Sequence, residues 1–116
     1  GDVRDRLELM IEMGPDCLSL EESKKGFEID ISWVDEAVSG RACVFGNLDS
    51  IRVLQNGTRE ELRGEIRRQM GVGLRHGRFV MSLGSPVTPL TPISRVADFI
   101  LITRQESARI KTRERL

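Results

Sequence analysis

Apolar residues follow two patterns along the chain, short continuous runs and longer stretches at helical spacing. The continuous runs cover residues 16–20, 42–46 and 78–83, and polar or glycine-containing segments flank each of them. Runs of this length are typical of parallel strands that are buried on both faces. The pattern therefore predicts a sheet of parallel strands.

The segments around these runs are amphipathic. A first helix is predicted over residues 1–14, where Asp2 can cap the start and Gly14 can end the helix in a left-handed turn. Its apolar residues share one face: Val3, Leu7, Met10 and Ile11. A second, shorter helix is predicted over residues 30–41, ending at Gly40.

Two more helices have clear start signals. After a helical turn that Asn47 or Asp49 can cap, Thr58 and Glu61 have the spacing of a capping box. The apolar stripe of that helix is Leu62, Ile66 and Met70. A last helix is predicted from Thr91, with proline at its first position. Its predicted buried stripe is Ile93, Val96, Phe99 and Ile100.

The order of elements is one helix, then a strand and a helix three times over. This order predicts an α/β fold with parallel strands and crossover helices. Three strands are fewer than the number in a doubly wound sheet or in a (β/α)8 barrel. A small open sheet and part of a barrel are both consistent with the pattern.

Composition narrows the possible partners. The 18 basic and 18 acidic side chains balance, so no general attraction to nucleic acid or to an anionic membrane is expected. With no apolar run of about 20 residues and no signal peptide, a cytoplasmic location is expected. The basic cluster of the tail is expected to be a solvated, frayed end rather than a binding arm: Arg109, Lys111, Arg113 and Arg115.

Four other residues are expected to be structural or solvated. Cys17 and Cys43 lie in apolar runs and are expected to be small buried hydrophobes rather than a disulfide or metal pair. His76 lies in a loop-like stretch at the entry of the third run, where it is expected to be solvated. Trp33 is expected to be a core residue rather than a stacking platform.

Candidate chemistry lies in the segments after the three runs. In α/β sheets and barrels, ligands bind at the carboxyl ends of parallel strands, so these loops should share one rim. The candidate substrate-binding residues are Glu21, Glu22, Asn47, Asp49 and Ser85. The two glutamates could serve in acid–base catalysis or simply be solvated acids, and Gly46–Asn47 could approach a ligand or form only a tight strand exit.

A nucleophilic role for Ser85 is not expected. A serine nucleophile needs an adjacent base, and the only histidine is distant in sequence. The segment around Ser85 also lacks the second glycine of a nucleophile elbow. The sequence contains no glycine-rich phosphate-binding motif and no Cys/His spacing typical of a metal site.

Taken together, the three loops resemble the last three βα units of the uroporphyrinogen decarboxylase superfamily. The similar motifs are Gly-Asn-Leu-Asp at residues 46–49, Gly-Thr-x-Glu-Glu at 57–61 and Leu-Gly-x-x-x-x-Pro-x-Thr-Pro at 83–92, in the family's order. The resemblance covers residues 1–105 and leaves 106–116 as a basic C-terminal tail. It implies a partial (β/α)8 barrel without about the first five βα units, and the start at Gly1 instead of methionine fits a fragment.

The resemblance implies two alternative activities for the parent enzyme. One branch of the superfamily decarboxylates the acetate arms of uroporphyrinogen III without a cofactor. The other, similar to corrinoid:coenzyme M methyltransferases, uses zinc to activate a thiol. Ser85 stands where the first branch has a histidine and the second a cysteine ligand, and a hydroxyl replaces neither group well. A non-catalytic binding module is the third alternative.

Several expectations follow from this interpretation. The parent's substrate would be a tetrapyrrole or a corrinoid-linked compound, and decarboxylation is the first choice of reaction. The chain alone should need no cofactor, hold no stoichiometric zinc and catalyse neither reaction, because groups from several absent strands are required. Its open strand edges and apolar inner face should favour a homo-oligomer.

Overall fold

The computed structural model describes residues 1–114 as three βα units preceded by a short helix. The helices are α1 (Leu7–Glu12), α2 (Ile31–Val38), α3 (Arg59–Gly73) and α4 (Ile93–Glu114). The strands are β1 (Cys17–Ser19), β2 (Cys43–Phe45) and β3 (Phe79–Val80). A π-helical segment, Ser50–Gln55, precedes α3, and a 3-10 turn, Leu74–His76, follows it.

The three strands form one parallel sheet in the order β1-β2-β3. Cys17 pairs with Cys43, and Val44 pairs with Phe79. Beyond the strands, a parallel bridge joins Leu48 and Leu83 and keeps the exits of β2 and β3 together. The predicted α/β fold with parallel strands is confirmed.

Apolar residues from the helices and the sheet form two adjoining core clusters. One joins α1, α2 and the first two strands around Leu18, Ile31, Val34 and Val44. The other joins α3, α4 and the π-helical segment: Leu48, Leu54, Leu62, Ile66, Met70 and Ile102. Phe79 packs against both clusters, and a Cβ at Gly73 would overlap its ring, so α3 can lie this close to β3 only with glycine there.

Local start and stop signals account for most of the helices. Thr58 and Glu61 form the predicted capping box at the start of α3. The carboxylate of Asp30 caps α2 by accepting the N–H of Ser32, and α2 ends in a left-handed turn at Ser39. In residues 1–114, no helix combines the length and the apolar character needed to cross a membrane.

The first helix is shorter than predicted. It begins at Leu7, and the carboxylate of Asp2 accepts the N–H of Arg4 in a preceding turn instead of capping the helix. Leu7 and Ile11 are its buried residues, and Gly14 adopts the expected left-handed conformation with φ 76°.

Three residues expected in the core are more exposed than predicted. Cys17 is exposed, Cys43 is half-buried, and the side chain of Trp33 is 38% exposed. Burial along β1 alternates, with Leu18 buried between two exposed neighbours. Burial along β2 alternates in the same way, with Val44 buried between two half-buried neighbours, so an apolar run does not ensure burial on both faces. His76 lies before β3, as expected, and its Nδ1 is 3.2 Å from a carboxylate oxygen of Asp35.

The predictions for the last helix were wrong in two respects. Ile93 is 87% exposed and Ile100 is also exposed, whereas Ile102 and Glu106 are fully buried, because α4 contacts α3 through its middle turns. The segment expected to fray is instead helical as far as Glu114. Of its predicted basic cluster, Arg115 lies outside the described residues.

Glu106 holds α4 against α3 although it is only 2% exposed. Its carboxylate accepts hydrogen bonds from Arg67 at 2.9 and 3.1 Å and from Arg109 at 2.8 Å, and Arg63 is 3.4 Å away. The hydrogen bonds from Arg67, with those from Arg109, lower the pKa of Glu106 to about 2 although burial opposes ionisation. A buried carboxylate with these partners stays charged and fixes the position of α4.

Replacing this carboxylate should destabilise the fold in a pH-dependent way. We expect Glu106→Gln to lower the free energy of unfolding by about 3 kcal/mol at pH 7, because three arginines lose their counter-ion. The pKa in the folded chain lies below the ordinary 4.5, so this stabilisation is complete above about pH 5 and is lost as the pH falls toward 2.

Urea unfolding at pH 7 and pH 3 measures this difference. Glu8→Gln is the control, because it removes only an exposed pair with Arg41 and should have little effect on stability. Equal effects of the two substitutions at pH 7 would contradict the role given to Glu106.

Candidate functional site

The candidate site is formed by the loops that leave the carboxyl ends of β1, β2 and β3. Because the strands are parallel, these loops all emerge at the same end of the sheet. In the first loop, Lys24 and Phe27 exchange two backbone hydrogen bonds around a turn where Gly26 has φ 103°. The hydroxyl of Ser23 accepts the N–H of Ile29, which closes the rest of this loop.

A buried carboxylate joins the first loop to the third. Glu22 is 3% exposed, and its Oε1 is 3.1 Å from the Nζ of Lys24. Its Oε2 accepts the hydroxyl hydrogen of Ser85 at 2.8 Å, and Lys24 Nζ donates to the same hydroxyl oxygen at 3.2 Å. Glu22, Lys24 and Ser85 therefore form one closed hydrogen-bonded group, which we call the loop cluster.

The second loop is bonded to the third just beside the loop cluster. Ser50 Oγ donates to the backbone oxygen of Ser85 at 2.6 Å, and the N–H of Gly84 donates to the backbone oxygen of Leu48 at 2.9 Å. A Cβ at Gly84 would overlap the backbone nitrogen and the carboxylate of Glu22. Only glycine allows the third loop to approach the first so closely.

Asn47 connects the second loop to the first through the backbone. Its Nδ2 donates to the backbone oxygens of Glu21 at 3.2 Å and Ile29 at 2.5 Å. Its N–H donates to Oε1 of Gln69, a buried residue of α3. Asn47 is therefore a positioning residue, since its amide is used within the protein.

Asp49 starts the π-helical segment, as one of the two predicted caps. Its carboxylate accepts the backbone N–H groups of Ile51 and Arg52 and the Nε of Arg52 at 2.8 Å. Burial tends to raise its pKa, but the hydrogen bonds from Arg52 and Ile51 outweigh this effect and hold the pKa below its ordinary value. Asp49 is thus a carboxylate at neutral pH, and it orients the guanidinium of Arg52.

The five predicted residues lie at the same end of the sheet, but they do not all line one cavity. Glu22, Asn47 and Asp49 line a small cavity of about 120 Å³, and Ser85 contacts Glu22. Glu21 does not line this cavity, and its carboxylate lies 3.0 Å from the amino nitrogen of Gly1.

A larger pocket of about 430 Å³ opens over the loop cluster. Its charged lining consists of Lys24, Lys25, Arg52, Glu22 and Asp49. Lys24 and Arg52 are paired with the two carboxylates, whereas Lys25 has no ion pair within the described part of the chain. The pocket therefore carries an excess of positive charge and suits an anionic oxygen group.

The sequence analysis did not identify four residues of the site: Lys24, Lys25, Arg52 and Gln69. Lys24 and Lys25 follow Glu22 closely in the segment EESKK, so their nearness to the rim could have been noticed. Arg52 lies three residues after the cap Asp49, a spacing that favours a pair on the same helical turn. Gln69 gave no signal, because its contact with Asn47 depends on how α3 packs.

The site does not have the donors of a zinc centre. Zinc sites in proteins use groups of cysteine, histidine and carboxylate ligands. Among residues 1–114, no three such side chains are grouped so that they could hold a metal ion. Glu22, the carboxylate nearest to Ser85, is already paired with Lys24.

Comparison with known proteins gives a consistent assignment. The sequence profile of the family described as Uroporphyrinogen decarboxylase (URO-D) matches residues 1–105. A solved structure of a methyltransferase from Methanosarcina mazei is similar, with 27% sequence identity and a TM-score of 0.70. The match covers 90% of this chain and 29% of that chain, which has a TIM-barrel-type fold. A search of curated proteins found no match.

These findings confirm the predicted fold class and the predicted resemblance. The three βα units correspond to part of a (β/α)8 barrel, and the chain spans 29% of the length of the similar methyltransferase. The loops at the carboxyl ends of the strands are the part of such a barrel where active sites lie.

The contact between Gly84 and Glu22 can be tested by adding one methyl group. We expect Gly84→Ala to lower the free energy of unfolding by about 2–3 kcal/mol, because the new Cβ must displace a buried carboxylate from its partners. Chemical unfolding measures this change. Gly64→Ala is the control: a Cβ there meets nothing within 4 Å in α3, and it should stabilise the helix by about 1 kcal/mol. A neutral Gly84→Ala would contradict the packing described.

Proposed function

This chain belongs to the uroporphyrinogen decarboxylase family, and on that premise we propose that it forms the substrate-holding rim of an enzyme acting on a carboxylate-bearing tetrapyrrole. The observation that carries this proposal is the pocket over the loop cluster, where Lys24, Lys25 and Arg52 outnumber the carboxylates. The acetate arms of uroporphyrinogen carry the complementary charge. Decarboxylation of those arms is the reaction we assign to the whole enzyme.

The cations of this rim would hold carboxylates that do not react. Carbon dioxide leaves as a neutral molecule, so a cation bound to the reacting carboxylate would stabilise the ground state more than the transition state. Lys25, which has no ion pair within the described part of the chain, would therefore fix the substrate by one of its other arms. The arm that reacts would lie farther into the barrel, among groups from other βα units.

Ser85 limits the chemistry that this rim can supply. Its hydroxyl donates to Glu22 and accepts from Lys24, so the oxygen and its hydrogen are both used within the loop cluster. The resemblance described above implies a histidine or a cysteine at this position in the two branches of the family. We infer that the three loops orient the substrate and that the reactive groups come from elsewhere in the enzyme.

Methyl transfer with a corrinoid-linked substrate is the second candidate function. The similarity to the Methanosarcina mazei methyltransferase favours it. The residues present do not fit the zinc site that such a reaction would use, because no three possible zinc ligands are grouped together within residues 1–114. No step through zinc is derived for this chain.

Titration of the purified chain with uroporphyrin tests the proposal, because porphyrin fluorescence reports binding. Uroporphyrin carries acetate and propionate carboxylates, whereas the side arms of cobalamin end in amides. We expect uroporphyrin to bind and cobalamin not to. Lys25→Met should weaken binding about fivefold through the loss of one cation, and Lys111→Met, in the exposed part of α4, should leave it unchanged.

Other results would overturn the proposal. Tighter binding of cobalamin would favour the methyltransferase alternative. Equal effects of Lys25→Met and Lys111→Met would mean that uroporphyrin binds by general charge, away from the rim. Absence of binding by both ligands would leave the non-catalytic binding module as the remaining alternative.

We also propose that the chain associates with itself. Within the described residues, β1 and β3 each pair with one strand only, so both edges of the sheet are open. Large apolar residues near these edges and loops are exposed: Val80, Val87, Leu90, Ile93 and Ile100. Light scattering at about 100 µM should show a dimer or larger species, and a compact monomer would contradict this prediction.

A further inference from the structure

Another cavity lies between α3 and α4, at the end of these helices that is opposite the candidate site. The loops of the candidate site precede the helices, whereas this groove is lined by the last turn of α3, the 3-10 turn after it and the last turns of α4. Its volume of about 390 Å³ falls in the range of small-molecule pockets.

The groove has an apolar floor and a cationic rim. Met70, Leu74 and Ile110 form the floor. Arg75, Arg109 and Arg113 form the rim, coming from two different segments of the chain. Arg109 is bonded to Glu106 and Arg75 lies 3.5 Å from Asp35, so part of the rim charge is neutralised. Among the side chains that the structure describes, no carboxylate lines the groove itself.

A glycine keeps the floor open. Gly71 lies on the lining, and a Cβ built there meets no atom within 4 Å. Glycine near the end of a helix lowers stability relative to alanine, and no close packing contact at Gly71 requires glycine. The missing side chain leaves space directly beside the apolar floor.

We propose that this groove binds a single-chain amphipathic carboxylate, such as a fatty acid of about ten carbons. The apolar floor would take the hydrocarbon chain, and guanidinium groups bind carboxylates through charge-assisted hydrogen bonds. The volume of the groove suits one such chain. The site is separate from the one assigned to the tetrapyrrole.

Sodium decanoate, kept below its micelle-forming concentration, is the probe. We expect a saturable ¹H–¹⁵N NMR titration with amide shifts confined to residues 70–75 and 109–113. Decanol should bind about fivefold more weakly, because it lacks the charge, and decyltrimethylammonium more weakly still. Equal binding of all three probes, or shifts centred elsewhere in the chain, would overturn the proposal.

A matched pair of glycine variants tests the groove itself. Gly71→Leu should fill the floor and weaken decanoate binding at least about tenfold. Gly64→Leu makes the same change two turns earlier in α3, outside the groove, and should leave binding unchanged. Neither position contacts other atoms through an added Cβ, so both variants should fold. Arg113→Gln should weaken decanoate binding but not decanol binding, and equal effects on both probes would contradict the charged head site.

Discussion

The buried carboxylate of Glu22 is the constraint on which the candidate site depends. A charge that is 3% exposed is tolerated only when it is paired and hydrogen-bonded, and Lys24 and Ser85 are the partners that the structure supplies. One partner lies in the same loop and the other lies more than sixty residues later. The first and third loops must therefore meet, and Gly84 gives them the space to do so.

Two residues of the loop after β2 hold the first and third loops in place. Asn47 bonds to the backbone on both sides of the first loop, and Ser50 bonds to the backbone of the third. Asn47 and Ser50 both follow β2, and β2 lies between β1 and β3 in the sheet, so the loop that carries them can reach the loops on either side. The polar groups that hold the loops are thus distinct from those, such as Lys25, that remain open to a ligand.

Sequence reasoning predicted the features that depend on neighbouring residues. The capping box of Thr58 and Glu61, the cap at Asp49 and the parallel sheet are all present, because each arises from short-range geometry or strand order. It failed where burial depends on which surfaces meet. Of the predicted apolar stripe of α4, Ile93 and Ile100 are exposed, whereas Phe99 packs against the core. The reason is that α4 is held to α3 by Ile102 and the charged Glu106.

The same distinction applies to the candidate site. The rule that loops follow the carboxyl ends of parallel strands placed Glu22, Asn47, Asp49 and Ser85 on one side of the sheet. It could not assign their partners, because these depend on the turn around Gly26 and on the approach of Gly84. The carboxylate of Glu21, adjacent in sequence to Glu22, instead lies beside the amino nitrogen of Gly1.

The most direct test of the shared rim is an NMR titration of the chain with uroporphyrin in which the backbone amide shifts are recorded at each ligand concentration. The structure predicts that residues 21–25, 46–52 and 83–88 respond together along a single binding curve. The loop cluster links the first and third loops, and the hydrogen bonds of Asn47 and Ser50 link the second loop to both. Shifts confined to one of these loops, or different binding curves for different loops, would contradict the account.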